Sequence, residues 1–168
     1  FFEAAQLTHT PFDYVYLDET TTAESLEKYQ VLFYPHGAIL TEDQVKILED
    51  YVENGGILVA GCRSGYKDIT GKCVMEDLPG LLAPLTGTDI PEYTAIAPDT
   101  GTVTIDWDGT RMEASIFAEQ LEAAGPDARI AGVYMDDYYS GSGALVENRY
   151  GKGRAYYYGS AYTPESVK

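Results

Sequence analysis

Positive charge is scarce in this sequence. Its 168 residues hold 11 Lys and Arg against 27 Asp and Glu, a formal net charge of -16. A nucleic-acid binder needs a basic footprint, and none is visible. The same scarcity argues against a polybasic membrane patch. An acidic balance of this size speaks to solubility rather than to fold. The two cysteines, Cys62 and Cys73, are too few for a disulfide framework. Together with His9 and His36 they fall short of a zinc set, and no run of regularly spaced oxygens suggests calcium. No cofactor or metal is therefore expected. No apolar run approaches the length of a membrane span. Phe1-Phe-Glu-Ala-Ala5 has neither an initiator Met nor a basic leader region. It reads as a cut inside a longer chain, as does the abrupt end at Ser166-Val-Lys168.

What is present centres on residues 29–65. Val31-Leu-Phe-Tyr34 is a short apolar run stopped by Pro35, which suits a strand buried on both faces. Thr41 and Gln44 have the spacing of a helix capping box. Glu42 and Asp43 place negative charge at that helix's positive end. Val45, Leu48 and Val52 share one face, widened by Ile47 and Tyr51. Gly55 stops the helix. Ile57-Leu-Val-Ala60 is a second buried strand. A strand–helix–strand unit implies two parallel strands and a right-handed crossover.

Around this unit, Phe1–Leu7 has helical spacing, and Phe12–Leu17 is strand-like. Ser25–Tyr29 is a linker or helical turn. Residues 66–101 are rich in Gly and Pro and read as a long irregular surface segment, with Leu78–Leu82 as one helical turn on the core. Such a segment usually serves a function or an interface. Thr102–Trp107 alternates like a half-buried strand, and Asp108-Gly109 signals a hairpin. Residues 111–123 are ambiguous between helix and returning strand. Arg129–Tyr134 is a strand and Asp136–Gly143 a loop. Residues 144–158 read as a hairpin around Gly151-Lys-Gly153. The length fits a single domain, residues 1–168. Its first half is α/β in character and its second half β-rich.

Five stretches carry a resemblance. They are Tyr29-Gln-Val-Leu-Phe-Tyr-Pro35, the run Tyr51-Val-Glu-Asn-Gly-Gly-Ile-Leu-Val59, Arg63-Ser-Gly65 with Lys67-Asp68, Leu78-Pro-Gly-Leu-Leu82, and Gly151-Lys-Gly-Arg-Ala-Tyr-Tyr-Tyr-Gly159. In that order the chain resembles the middle, trimerisation domain of family-42 glycoside hydrolases, the bacterial β-galactosidases. The resemblance covers nearly the whole chain. It implies a fold like class I glutamine amidotransferases: α/β, three layers, a mostly parallel flavodoxin-like sheet, with a β-hairpin-rich C-terminal part. It also implies a non-catalytic role in holding a cytoplasmic homotrimer together. The family's two catalytic glutamates sit on a preceding (β/α)8 barrel, so no catalytic residue is carried over. That barrel and further copies of the chain are the implied partners. Gly141-Ser-Gly-Ala144 departs from the family's usual Gly-x-Pro-Ala.

Candidate sites follow from residue chemistry. Gly61-Cys-Arg-Ser-Gly65 after a buried strand could expose Cys62 as a nucleophile, which would make the chain an amidotransferase-like hydrolase. A working thiol needs a nearby base. A nucleophile elbow also places the nucleophile midway between its glycines, and here that position is Arg63. The heavier reading is a structural turn of Arg63, Ser64 and Gly65, with Arg63 pairing carboxylates or carbonyls. Asp136-Asp137 beside Tyr138-Tyr139 could be a carboxylate pair near sugar-stacking rings, but adjacent residues diverge in a strand. A solvated loop is the simpler account, as it is for Asp18-Glu19. A sugar-binding module using Trp107, Tyr138 and Tyr139 is a further alternative. Tyr is enriched at interfaces. Tyr138 and Tyr139 are the candidate contact residues, with the 66–101 and Asp136–Gly143 segments as a self-association surface. Tyr156 and Tyr158 should share a face opposite Tyr157.

Overall fold

The computed structural model describes residues 1–99 and 101–167. Its elements are α1 (Phe2–Leu7), α2 (Ala23–Leu26), β1 (Val31–Tyr34), α3 (Glu42–Glu53), β2 (Ile57–Gly61), a 3-10 turn (Gly80–Leu82), α4 (Ala83–Thr86), β3 (Thr88–Ala95), β4 (Val103–Trp107), β5 (Thr110–Ala114), β6 (Phe117–Ala123), β7 (Ala128–Tyr134), β8 (Gly143–Tyr150) and β9 (Gly153–Tyr158).

The central unit forms with the expected strand–helix–strand order, but β1 is not buried on both faces, because it ends the sheet path and Val31 and Phe33 are exposed. Thr41 and Gln44 close a reciprocal capping box on α3. Val45, Leu48, Tyr51 and Val52 of α3 are buried. Gly55 ends the helix at φ 118°, and the Gly56 N–H returns to the Tyr51 carbonyl. β1 and β2 pair in parallel from Val31 opposite Ile57 to Tyr34 opposite Ala60.

Beyond that unit the expected architecture fails. The strands form one curled, mixed sheet, a half-barrel, in the order β1-β2-β9-β8-β7-β4-β5, and β6 joins β8 and carries β3. Among the described residues the β1–β2 and β2–β9 ladders are parallel; the other ladders run antiparallel. The chain is therefore not a three-layer, mostly parallel α/β sandwich, and the class I glutamine amidotransferase-like fold is set aside with it. The physical reason is the connections. A parallel neighbour needs a crossover of a dozen residues or more, usually a helix. After α3 the helical pieces are single turns, Gly80–Leu82 and Ala83–Thr86. Tight turns fold β5 back on β4 and β9 back on β8, and the 135–142 loop returns β8 antiparallel to β7. At Asp108-Gly109 the two φ angles are 47° and 89°, as a primed hairpin turn requires.

Three local expectations are also revised. The ambiguous stretch 111–123 is strand, split between β5 and β6 at Ile116, where φ is 66°. Its helix-favouring residues are overruled because β6 has strand partners on both edges. Segment 66–101 is not simply irregular, because β3 runs through it. Pro91 disguises that strand; β3 pairs only with β6, and its register slips between Asp89 and Glu92, which is where an edge strand tolerates proline. Residues 12–17 join no ladder, and Tyr14 and Tyr16 are 76% and 84% exposed.

Two apolar clusters lie on opposite faces of the β8–β9 ribbon. The first joins Leu48 and Val52 of α3 to Leu58, Leu82, Val146, Ala155 and Tyr157. The second holds Ile105, Ala114, Ala118, Tyr134, Leu145 and Tyr158, with Tyr156 packed against it. Tyr157 thus faces away from Tyr156 and Tyr158, as strand alternation requires.

Candidate functional site

The turn after β2 is tightly held. Arg63 holds φ 62° and Gly65 φ 76°. The Ser64 hydroxyl is buried and accepts the Gly37 N–H at 2.9 Å, while the Gly65 N–H donates to the Gly37 carbonyl at 2.9 Å. The turn therefore has the backbone of an elbow, and Arg63 occupies its apex.

Glu119 of β6 closes the turn from the opposite side. Its carboxylate is fully buried and receives three donors. The Arg63 N–H reaches Oε1 at 3.1 Å, the Tyr66 hydroxyl reaches Oε1 at 2.9 Å, and the Tyr157 hydroxyl reaches Oε2 at 3.0 Å. Burial pushes this carboxyl above its ordinary range, although the three hydrogen bonds and the Arg63 charge pull the other way. Burial likewise drives the Tyr66 and Tyr157 hydroxyls upward, so both stay protonated and donate. The Arg63 guanidinium does not pair a carboxylate. It stacks over Tyr66, Tyr93 and Phe117, at 3.8, 4.5 and 5.4 Å from their centroids. A guanidinium over aromatic faces is stabilised by their quadrupoles. Its Nη1 is buried without a hydrogen-bond partner.

This geometry holds a turn in place and lacks the parts of a thiol catalyst. Cys62 is buried, and burial first, then the Glu119 charge, pushes its thiol up to about 12. The His36 ring does not serve it, because Nδ1 lies 3.2 Å from the Cys62 carbonyl oxygen. A thiol so placed has almost no thiolate at neutral pH. Cys73 is exposed and free, so no bridge joins the two. In the folded chain a thiol reagent is expected to label Cys73 alone, with Cys62 reacting only on unfolding. Fast native labelling of both, followed by mass spectrometry, would contradict this.

The remaining candidates are dispersed. Asp136 accepts the Thr104 N–H, and Asp137, at φ 66°, accepts the Tyr138 N–H at 2.7 Å. One carboxylate is taken up by the backbone of β4 and the other by its own loop, so the pair does not converge. Asp18 closes a turn with Thr20 and Thr21, and those hydrogen bonds hold its carboxyl below its usual range. Of the paired tyrosines only Tyr138 faces solvent, at 68% exposure; Tyr139 is buried edge-on between Tyr134 and Tyr138. Trp107 is partly exposed against the edge of Tyr156. With the Tyr139 ring buried, the three rings do not offer a shared exposed platform. Among the described residues no group of acidic, His and Cys side chains is placed to hold a metal.

Glu119 escaped sequence reasoning. It lies in the stretch whose secondary structure was ambiguous, and its partners come from positions 63, 66 and 157. No local pattern distinguishes it from the other glutamates of that stretch.

Comparison with known proteins decides the family. Residues 4–168 match the family described as the β-galactosidase trimerisation domain. The chain belongs to that family. It is 33% identical over 144 residues to the β-galactosidase BgaA of Clostridium cellulovorans, covering 85% of this chain and 21% of that protein. It is 32% identical over 115 residues to the β-galactosidase LacA of Lactobacillus acidophilus, covering 68% and 17%. Among solved structures, the cold-adapted β-galactosidase from Rahnella sp. R3 superposes with a TM-score of 0.76 at 27% identity, covering 84% of this chain and 22% of that one. The trimerisation domain thus spans about a fifth of the length of the curated relatives it matches.

Proposed function

We propose that this trimerisation domain is a non-catalytic, self-associating part of a longer cytoplasmic β-galactosidase that hydrolyses terminal β-D-galactosides. In this reading the whole chain, residues 1–168, is one domain. Its partners are further copies of itself and a catalytic barrel of the same polypeptide, which carries the acid/base and the nucleophile. The observation that carries the reading is the family match over residues 4–168. The elbow supports it from chemistry. Arg63 stands where a nucleophile would, Cys62 is buried and protonated, and His36 is spent on a carbonyl.

The 136–143 loop is the contact surface we favour. Asp136 pins it to β4, the Ser140 hydroxyl donates to the Met135 carbonyl at 3.0 Å, and the Gly141 N–H donates to the Tyr134 carbonyl at 2.8 Å. Tyr138 projects from this loop beside the partly exposed Met135. A large ring on a rigid loop loses little entropy on docking. The test is sedimentation of the full-length enzyme beside the 168-residue chain, with galactoside hydrolysis measured in parallel. A trimer is expected for the full-length protein. Tyr138→Asp is expected to weaken its assembly by about tenfold or more, because a carboxylate would be desolvated at the contact. A monomeric full-length enzyme refutes the reading, and unchanged assembly of the variant removes Tyr138 from the interface.

A further inference from the structure

We propose that the Asp137-Tyr138 corner of one copy docks into an arginine-flanked cavity of the next copy, at the far end of the same β7–β8 hairpin. The proposal rests on the reading of the chain as a self-associating domain, and it names the surface that receives the 136–143 loop.

Self-association poses an electrostatic problem for this chain. Each copy carries a net charge of -16, and like fields repel. A contact needs a place where the charge is locally reversed. Arg129, Arg149, Lys152 and Arg154 gather where β7 begins, β8 ends and β9 begins, whereas residues 130–148 contain no Lys or Arg. Set against Asp108, Asp127 and Glu147, these four bases leave one surplus positive charge. Asp136 and Asp137 lie in the loop at the other end of β7. That strand has seven residues, so the two ends stand about 20 Å apart.

The basic end is a built surface. Glu147 is buried and fixes two guanidinium groups: Arg129 Nε donates to Oε2 and Arg154 Nη1 to Oε1, each at 2.8 Å. Arg129 also donates to the Asp108 carboxylate at 3.0 Å. Arg149 is placed differently. It stands directly opposite Arg154 in the β8–β9 ladder, where like charges destabilise a pair. It is exposed and forms no ion pair among the described residues. A carboxylate from outside would offset that repulsion. Beside it opens a cavity of about 280 Å³ lined by Pro126, Asp127, Ala128, Arg129, Glu147 and Arg149.

The loop has the matching parts. Tyr138 projects into solvent, and Asp137 before it is also exposed. Asp137 spends Oδ1 on the Tyr138 N–H, and its Oδ2 accepts no hydrogen bond among the described residues. In the docked pair the Tyr138 ring rests on Pro126 and Ala128, and Asp137 Oδ2 reaches Arg149. The giving and receiving surfaces differ, so the contact is head-to-tail. Contacts of that kind close into rings when the rotation permits, whereas a self-complementary patch makes only two-fold pairs. One such contact, repeated, builds a threefold ring.

The test is a double-mutant cycle in the full-length protein, read by sedimentation. Arg149→Ala and Asp137→Asn are each expected to weaken assembly by about tenfold or more. The combined variant should be no weaker than the worse single one, because the second substitution removes a partner already lost. Both changes spare the fold. Asn retains an oxygen for the Tyr138 N–H and tolerates the φ of 66° at that position, and the Arg149 side chain is solvated. Arg111→Ala removes the same charge from an exposed site outside the patch, and should leave assembly unchanged. Losses that multiply in the combined variant overturn the proposal, since the two residues then do not meet. Unchanged assembly of Arg149→Ala overturns it too; a lowered unfolding midpoint in that case would show the cavity filled by another part of the same polypeptide. A monomeric wild type refutes the functional reading itself, whereas an assembled wild type with uncoupled variants refutes this contact alone.

Discussion

Glu119→Ala is expected to destabilise the domain by about 3–5 kcal/mol, from three orphaned donors and a buried cavity. The Arg63 N–H and the Tyr66 and Tyr157 hydroxyls would all lose their acceptor. The measurement is a lower urea midpoint with an unchanged slope. A loss below about 1 kcal/mol would mean the cluster is not the clamp described. Glu119→Gln keeps the shape but loses the negative charge, and should cost less. It also separates two effects through pH. Burial holds the Glu119 carboxyl above its ordinary value of 4.5. The folded chain therefore binds that proton more tightly than the unfolded chain. As pH rises from 4.5 to the raised native value, the wild type loses stability. The Gln variant has no such proton to lose. Its stability relative to wild type should therefore improve as pH rises through that window, and a pH-independent difference would show that Glu119 titrates normally.

The second large effect is expected at Gly65→Ala, about 3 kcal/mol or more. The residue sits at φ 76°, where a side chain is strained, and a Cβ would lie 2.0 Å from the Pro79 carbonyl oxygen. That contact is with backbone, so no side-chain rotation relieves it. Either the elbow or the 78–80 turn must shift, which adds overpacking to the conformational cost. Because Gly65 anchors the turn to Gly37, the shift should also loosen Arg63 and Cys62. Thermal unfolding and thiol labelling of Cys62 read the two consequences separately. A variant as stable as wild type, with Cys62 still protected, would show that the turn is not rigid.

These two residues illustrate what a linear reading reaches. Gly65 was visible as part of a glycine-framed turn after a strand, because that signal is local. The same holds for the Thr41–Gln44 cap, the Asp108-Gly109 hairpin and the parallel pair of β1 and β2. Each depends on residues within one turn or one crossover. Glu119, by contrast, gains its role only when positions 63, 66, 119 and 157 meet.

The same distinction explains the fold. Local chemistry sufficed for the strand–helix–strand centre, for the later hairpin, and for the family motifs that identify a trimerisation domain. It did not suffice for the sheet as a whole. Helix-favouring residues in β6 and Pro91 in β3 obscured two strands whose existence depends on edges supplied from elsewhere in the chain. Whether the sheet continued in parallel or curled back was settled by connection length and by which edges stood open, and both act between residues far apart in sequence.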